Sequence, residues 1–177
     1  FREQQTHIVP RQYVSGESHY YLGKQYQLKV LIQPNEKQSI KLLRGKIEIS
    51  VRQKDSQLVK KLLEEWYKAR AKIVFAKRLD VVLEQTLWVK ERPPFRILTM
   101  KTQWGSCSPK GLLTLNPYLV KAPTLCIDYV ILHELCHLVE HNHSKQFYEL
   151  MSQTMPDWEG RKIHLDEMAA KIFSGAI

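Results

Sequence analysis

The stretch Val130-Ile131-Leu132-His133-Glu134-Leu135-Cys136-His137-Leu138 decides the reading of this chain. Apolar residues continue upstream through Ile127, so the pattern predicts a helix that is apolar nearly all round and therefore buried. Into it the sequence inserts two histidines four apart, with a glutamate beside the first. Residues four apart share one helical face, so both imidazoles can grip one cation, while Glu134 points beside it and can polarise a water. Seven histidines in the chain leave room for a chance match. Burial argues against chance, because polar groups amid Val130, Ile131, Leu132, Leu135 and Leu138 are costly without partners, and a zinc ion supplies them.

A hydrolytic zinc usually has three protein ligands and a fourth position open to water. The candidates for the third are His141, His143, Glu149 and His164. A continued helix would bring His141 to the same face, but at about 1.5 Å per residue it lies about 12 Å from His133 along the axis, too far to share the ion. His143 stands six positions past His137, the spacing of the H-E-x-x-H-x-x-G-x-x-H signature, and is preferred. Glu140 occupies the glycine position of that signature. The return is therefore expected at Asn142, which tolerates a left-handed backbone, with Ser144 starting the next helix. Glu149 and His164 stay open as alternatives, and the plainer reading of His141 and His143 is as solvated loop residues.

Working outward, Ala122-Pro123-Thr124 opens the metal helix, with Thr124 as its expected cap. Asp128 is read as stabilising the first turn, with orientation of a ligand as its other role. Ser144 and Asp157 are expected to cap two further helices, Lys145–Thr154 and Trp158–Phe173. Upstream, His19–Leu22, Tyr26–Ile32, Ile40–Leu43 and Lys46–Val51 are short β-prone runs between turn residues, read as an antiparallel meander. From Asp55 the period becomes helical through Leu58, Leu62, Trp66, Ile73 and Ala76, with Asp55 or Ser56 as the expected N-cap, reaching toward residue 84. Arg96–Lys101 and Leu112–Asn116 read as a hairpin around Ser108-Pro109-Lys110-Gly111, and either could offer a sheet edge to a substrate. Trp104, Gly105 and Ser106 are candidate substrate-binding residues, Gly105 allowing close backbone approach; the alternative is a tight turn ending a strand. The expected fold is α+β, one domain over residues 1–177, with mainly strands over 1–52 and the long helix, small sheet and metal-binding helices over 53–177.

Several of these segments together resemble a known family: Trp104-Gly105-Ser106-Cys107-Ser108, Leu115-Asn116, Ala122-Pro123, Ile127-Asp128-Tyr129-Val130, the His133–Leu138 segment, Asn142-His143-Ser144, Phe147 and Met155-Pro156-Asp157-Trp158. As a set they resemble the YgjP-like family of metal-dependent hydrolases, in the zincin superfamily with the SprT-like and WLM proteases. Gly16-Glu17, Tyr21-Leu22-Gly23 and Tyr26 are similar to the same family's N-terminal strands. The resemblance implies a zincin-like domain with His133, His137 and His143 as metal ligands and Glu134 as general base. One position departs from it: the residue before Trp104, often basic in the family, is Gln103 here, which bears on substrate preference.

Composition bounds the rest. At 177 residues, 44% hydrophobic and 25% charged, the chain has a globular balance rather than that of a disordered or fibrous one. No run approaches the roughly 18 apolar residues of a membrane span, and residues 1–20 lack the core of a signal peptide, so a soluble, cytoplasmic monomer is expected. Three cysteines without a Cys-x-x-Cys pair suit reduced thiols, and Cys136 belongs to the core. Cys107 is a further candidate zinc ligand in a self-blocked state. The net charge of +9 admits nucleic acid or nucleotides without naming either. Three functions compete: a zinc peptidase; a nucleotide pyrophosphatase, acting for instance on UTP, for which no phosphate-binding loop is present; and a basic DNA-associated zinc module using the lysines and arginines of the long helix. Other divalent metals suit imidazoles too.

Overall fold

The computed structural model describes residues 11–175 and residue 177; the first ten residues, read above for a signal segment, lie outside them. Four strands open the chain: β1 (Ser18–Tyr21), β2 (Lys24–Ile32), β3 (Ser39–Leu43) and β4 (Lys46–Val51). Helix α1 (Ser56–Leu83) follows, then β5 (Phe95–Ile97), β6 (Gly105–Cys107) and β7 (Leu113–Leu115). A 3-10 turn (Pro117–Lys121) leads into α2 (Thr124–Cys136), α3 (Lys145–Thr154) and α4 (Trp158–Phe173). The architecture is α+β.

In the first sheet the order is β1-β2-β4-β3. The β1–β2 and β3–β4 hairpins turn tightly at Leu22-Gly23 and Arg44-Gly45, all four residues having positive φ, the two-residue geometry that matches strand twist. A simple meander would pair β2 with β3. Instead β2 runs parallel to β4, with Leu28 opposite Ile47 and Val30 opposite Ile49, and β3 lies at the edge. Burial explains the exchange: Ile47, Ile49 and Val51 are fully buried, whereas β3 alternates between exposed and half-buried residues and suits an edge.

The second sheet, ordered β5-β7-β6, also departs from the expected hairpin. The antiparallel partner of β7 is β6, and β5 pairs with β7 in parallel. The run expected over Arg96–Lys101 ends at Ile97, and Leu113–Leu115 is the sheet's centre, all three residues buried. Gly105–Cys107, which carries no alternating apolar pattern, is the edge strand that packs on α2.

Helix α1 is capped as expected, Asp55 accepting from the amides of Gln57 and Leu58. Its buried stripe of Val59, Leu63, Tyr67, Ala71, Val74, Phe75, Leu79 and Val82 packs on the strands and on α2. Thr124 does not cap α2. Pro123 holds that position with no side-chain bond, because its ring and fixed φ already suit a helix entry. A Cβ on Gly23 would lie 2.7 Å from Pro123 Cγ, and the amides of Leu22 and Gly23 bond to Val120 and Lys121 carbonyls, so the first hairpin is pinned to the approach of α2.

Asp128 neither caps α2 nor faces the three candidate histidines. Its carboxylate accepts two bonds from Arg78, at 2.8 Å to Nε and 2.6 Å to Nη2, clamping α1 to α2 where both groups are largely shielded from water. Truncating Asp128 to Ala is expected to cost roughly 1–3 kcal/mol in urea unfolding, with an unchanged m-value. A double-mutant cycle with Arg78→Ala should give a coupling of at least about 1 kcal/mol, and additive losses would refute the clamp.

Candidate metal centre

Helix α2 ends as soon as it has delivered His137. That residue is the C-cap, and the next amides tighten into a 3-10-like turn, Leu138 bonding to Leu135 and Val139 to Cys136. The chain then returns toward the helix. Asn142 does not adopt a positive φ; the reversal uses the Ser144 amide bonding back to Asn142 O at 2.8 Å. Ser144 then caps α3 by accepting from the Phe147 amide, as its residue type suggests.

This return brings His143 against the helix. The imidazole centroids lie 5.1 Å apart for His133–His137, 5.1 Å for His133–His143 and 4.7 Å for His137–His143, a nearly equilateral triangle. One ring nitrogen from each lies within 4.8 Å of the others, and the Nε2 atoms of His133 and His143 are 3.1 Å apart. Three nitrogens on a tetrahedral zinc at about 2.05 Å would stand about 3.3 Å from one another. The donor set therefore fits a single divalent ion with one open side. His137 Nδ1 lies 3.3 Å from Glu140 O, which holds that nitrogen as the donor and frees Nε2.

Phe147, fully buried on α3, forms the floor of the triangle. Its ring centroid is 5.0, 4.8 and 5.0 Å from those of His133, His137 and His143. The sequence reading treated it only as part of a family pattern; the three-residue step from the Ser144 cap, which turns it inward, is the local signal that could have assigned it. The other candidates go elsewhere. Glu149 pairs with Lys145 at 3.7 Å, and His164 is exposed on α4. His141 lines the outer part of the cavity, beyond the three-histidine cluster.

Glu134 is 5% exposed. Its neighbour is His137, Nε2 lying 4.0 Å from Oε1. Burial pushes its carboxyl up to about 7. Burial, aided by the two neighbouring imidazoles, pulls His133 down to about 4 and lowers His137, so both rings are neutral with lone pairs available. Gly105 on β6 is what allows the carboxylate to sit there: a Cβ would lie 3.2 Å from Glu134 Cγ and 3.2 Å from Thr114 O. Trp104, Gly105 and Ser106 line the same cavity of about 690 Å³ as the three histidines and Glu134, together with Tyr129, Lys162 and Asp166. Cys107 lines it too, but stands outside the histidine cluster. Burial and the Glu134 charge raise its pKa, and its thiol donates to Ser108 O at 3.5 Å.

The sequence profile described as "YgjP-like, metallopeptidase domain" matches residues 1–168. Two solved structures are similar. One is the metallopeptidase zymogen abylysin of Pyrococcus abyssi, 24% identical over 55% of this chain and 93% of that one, with a TM-score of 0.48. The other is the metallopeptidase zymogen jannalysin of Methanocaldococcus jannaschii, 28% identical over 58% of this chain and 97% of that one, with a TM-score of 0.43. No curated protein matches the chain.

The burial of Glu134 predicts a signed pH effect in the metal-free protein. Its folded-state pKa lies above the unfolded value of 4.5, so the folded state holds the extra proton and stability falls as pH rises from 4.5 to 7. Glu134→Gln removes that cost. Metal-free Glu134→Gln should match wild type near pH 4.5 and exceed it by up to roughly 3 kcal/mol above pH 7 in chemical denaturation. A difference independent of pH would contradict the assignment.

Proposed function

The chain belongs to the YgjP-like metallopeptidase family, and from that membership and the three-histidine cluster we propose a zinc peptidase in which His133, His137 and His143 hold the ion and Glu134 is the general base. Membership makes it a metal-dependent hydrolase; the metal, the residue roles and the substrate are the proposal. The single observation that carries it is the triangle of imidazoles with a desolvated carboxylate beside one edge. A purely structural ion would leave that carboxylate without a task. Borderline-soft imidazole donors favour zinc among the common divalent ions, with nickel, copper and iron as competitors settled by availability.

A bound divalent ion supplies polarisation of the scissile carbonyl and a water of lowered pKa. Glu134 takes the proton of the attacking water and passes it to the leaving amine nitrogen. The β6 edge receives the substrate as an added extended strand, its main chain pairing beside Glu134, and Gly105 keeps that edge close to the carboxylate. This replaces the two runs first considered for the edge, since β7 is the sheet's central strand and β5 lies on its far side.

An open sheet edge suits a peptide better than a nucleotide. The basic set on α1, the feature that would argue for DNA, is divided: Arg78 is committed to Asp128, and Arg70 to the Tyr21 hydroxyl. Among the described residues no helix is long and apolar enough to cross a membrane.

Elemental analysis should find about one zinc per wild-type chain and a large loss in His137→Ala. Glu134→Gln should keep the metal and lose peptide hydrolysis by at least about two orders of magnitude. Turnover of nucleoside triphosphates in place of a peptide panel would overturn the peptidase reading and keep the metal mechanism; failure to take up metal would overturn both.

A further inference from the structure

A second cavity, of about 360 Å³, is lined by Arg11, Tyr13 and His19, by α1, by the 3-10 turn and by the end of α4. It shares no lining residue with the histidine cleft, though the ring of Phe173 on its wall packs, tilted, at 4.4 Å from that of Trp104 in the cleft. Three cationic side chains converge on it: Arg11, Lys60 and Lys121. Lys121 is only 7% exposed, and its ammonium lies 4.9 and 5.4 Å from the ring centroids of Tyr67 and Tyr118. One of its protons goes to the main-chain oxygen of Ile177 at 2.6 Å, leaving two for another acceptor. Arg11 donates from Nε to Gly175 O, yet its Nη2 is buried without a partner, and among the described residues it is the one buried side-chain nitrogen or oxygen so left.

The side-chain carboxylates nearby do not answer this charge. Glu17 lies 3.8 Å from Arg11 Nη1, but its oxygens already accept from the amides of Gln12 and Tyr13 and contact His19 Nε2 at 2.7 Å. Glu64 is exposed on the cavity wall and forms no ion pair among those of the described residues. A buried guanidinium nitrogen without an acceptor and a desolvated ammonium each carry a large penalty, which an oxyanion would remove by accepting charge-assisted bonds from both.

We propose that this cavity is an anion site for a small molecule whose phosphate or carboxylate head accepts from Arg11 Nη2 and Lys121 Nζ and whose body rests on the tyrosine faces. The volume exceeds that of a bare phosphate several-fold, and Tyr13, Tyr67 and Tyr118 line it, so a head with a flat or apolar body uses the space better than an inorganic ion. Lys60, half-buried with its ammonium 6.0 Å from the Tyr13 ring centroid, supplies the third positive charge.

The full chain would be titrated with inorganic phosphate, phenyl phosphate and benzoate by calorimetry, with Trp66 fluorescence as a second readout because Trp66 packs at 5.2 Å on Tyr67. One-to-one saturable binding is expected, tighter for phenyl phosphate or benzoate than for phosphate, and the tighter of those two identifies the head. Arg11→Met and Lys121→Met should each weaken it by at least about tenfold. Should Lys121→Met fail to fold, Arg11→Met and Lys60→Ala carry the test, the latter with a smaller loss. His133→Ala should leave it unchanged, which separates this site from the metal centre. Absence of saturable binding for all three probes, equal affinity in Arg11→Met, or loss in His133→Ala would each overturn the proposal.

Discussion

Everything at the candidate metal centre depends on gathering three imidazoles and one carboxylate at one place, with His133, His137 and Glu134 partly or wholly withdrawn from water. Helix α2 is almost wholly buried, and its packing is that of a core element, with Ile127, Ile131, Leu132 and Leu135 fully enclosed. Polar groups on such a helix would be costly if they were merely tolerated. The structure concentrates that cost on one face. Burial keeps His133 and His137 neutral, the form in which imidazole binds a cation, and raises the proton affinity of Glu134. A cation at the centre of the triangle would reverse much of this, restoring the carboxylate's charge through attraction. The metal-free centre is in this sense a site of stored electrostatic free energy, released on binding.

Holding that arrangement requires support from distant parts of the chain. The Arg78–Asp128 clamp fixes α2 against α1 one turn before His133, and the first hairpin is bonded to the segment that feeds α2. Phe147 sets the height of all three imidazoles at once. Of these, only the Phe147 contact joins residues that are all near one another in sequence; the clamp spans 50 residues. The others show why a family with so short a motif needs most of a chain around it.

What could be read from the sequence follows the same division between local and distant. His133 and His137 were legible because helical periodicity alone places them on one face with Glu134 beside it, and the Asp55 and Ser144 caps because capping is a matter of three residues. His143 was reachable only through a spacing borrowed from zinc signatures, and the turn that returns it differs from the left-handed Asn142 expected. The parallel pairing of β2 with β4 and the placing of β6 at the edge were not legible, since a strand's neighbours are chosen by burial across the whole sheet. Gly105–Cys107 is too short and too polar to announce a strand, yet it is the strand beside Glu134. Asp128 was misread because its partner is 50 residues away.

The two cavities extend this contrast. The metal cleft gathers its reactive groups from a dozen consecutive residues and one edge strand, so its chemistry survives in a motif. The basic cavity draws Arg11, Lys60, Lys121 and the end of α4 from four separate parts of the chain, and no window of sequence contains more than two of them. Each residue has a plain surface explanation when read alone. Only their convergence, with a guanidinium nitrogen sealed in and no acceptor beside it, makes the surface explanation inadequate. An exposed lysine can satisfy itself with water, whereas Lys121, enclosed by two tyrosine rings, has its proton affinity lowered to about 8 by burial and by the Arg11 charge. An oxyanion between the two cations would offset both effects, because the charge that makes each residue unfavourable to its neighbour is the charge that the ligand would share.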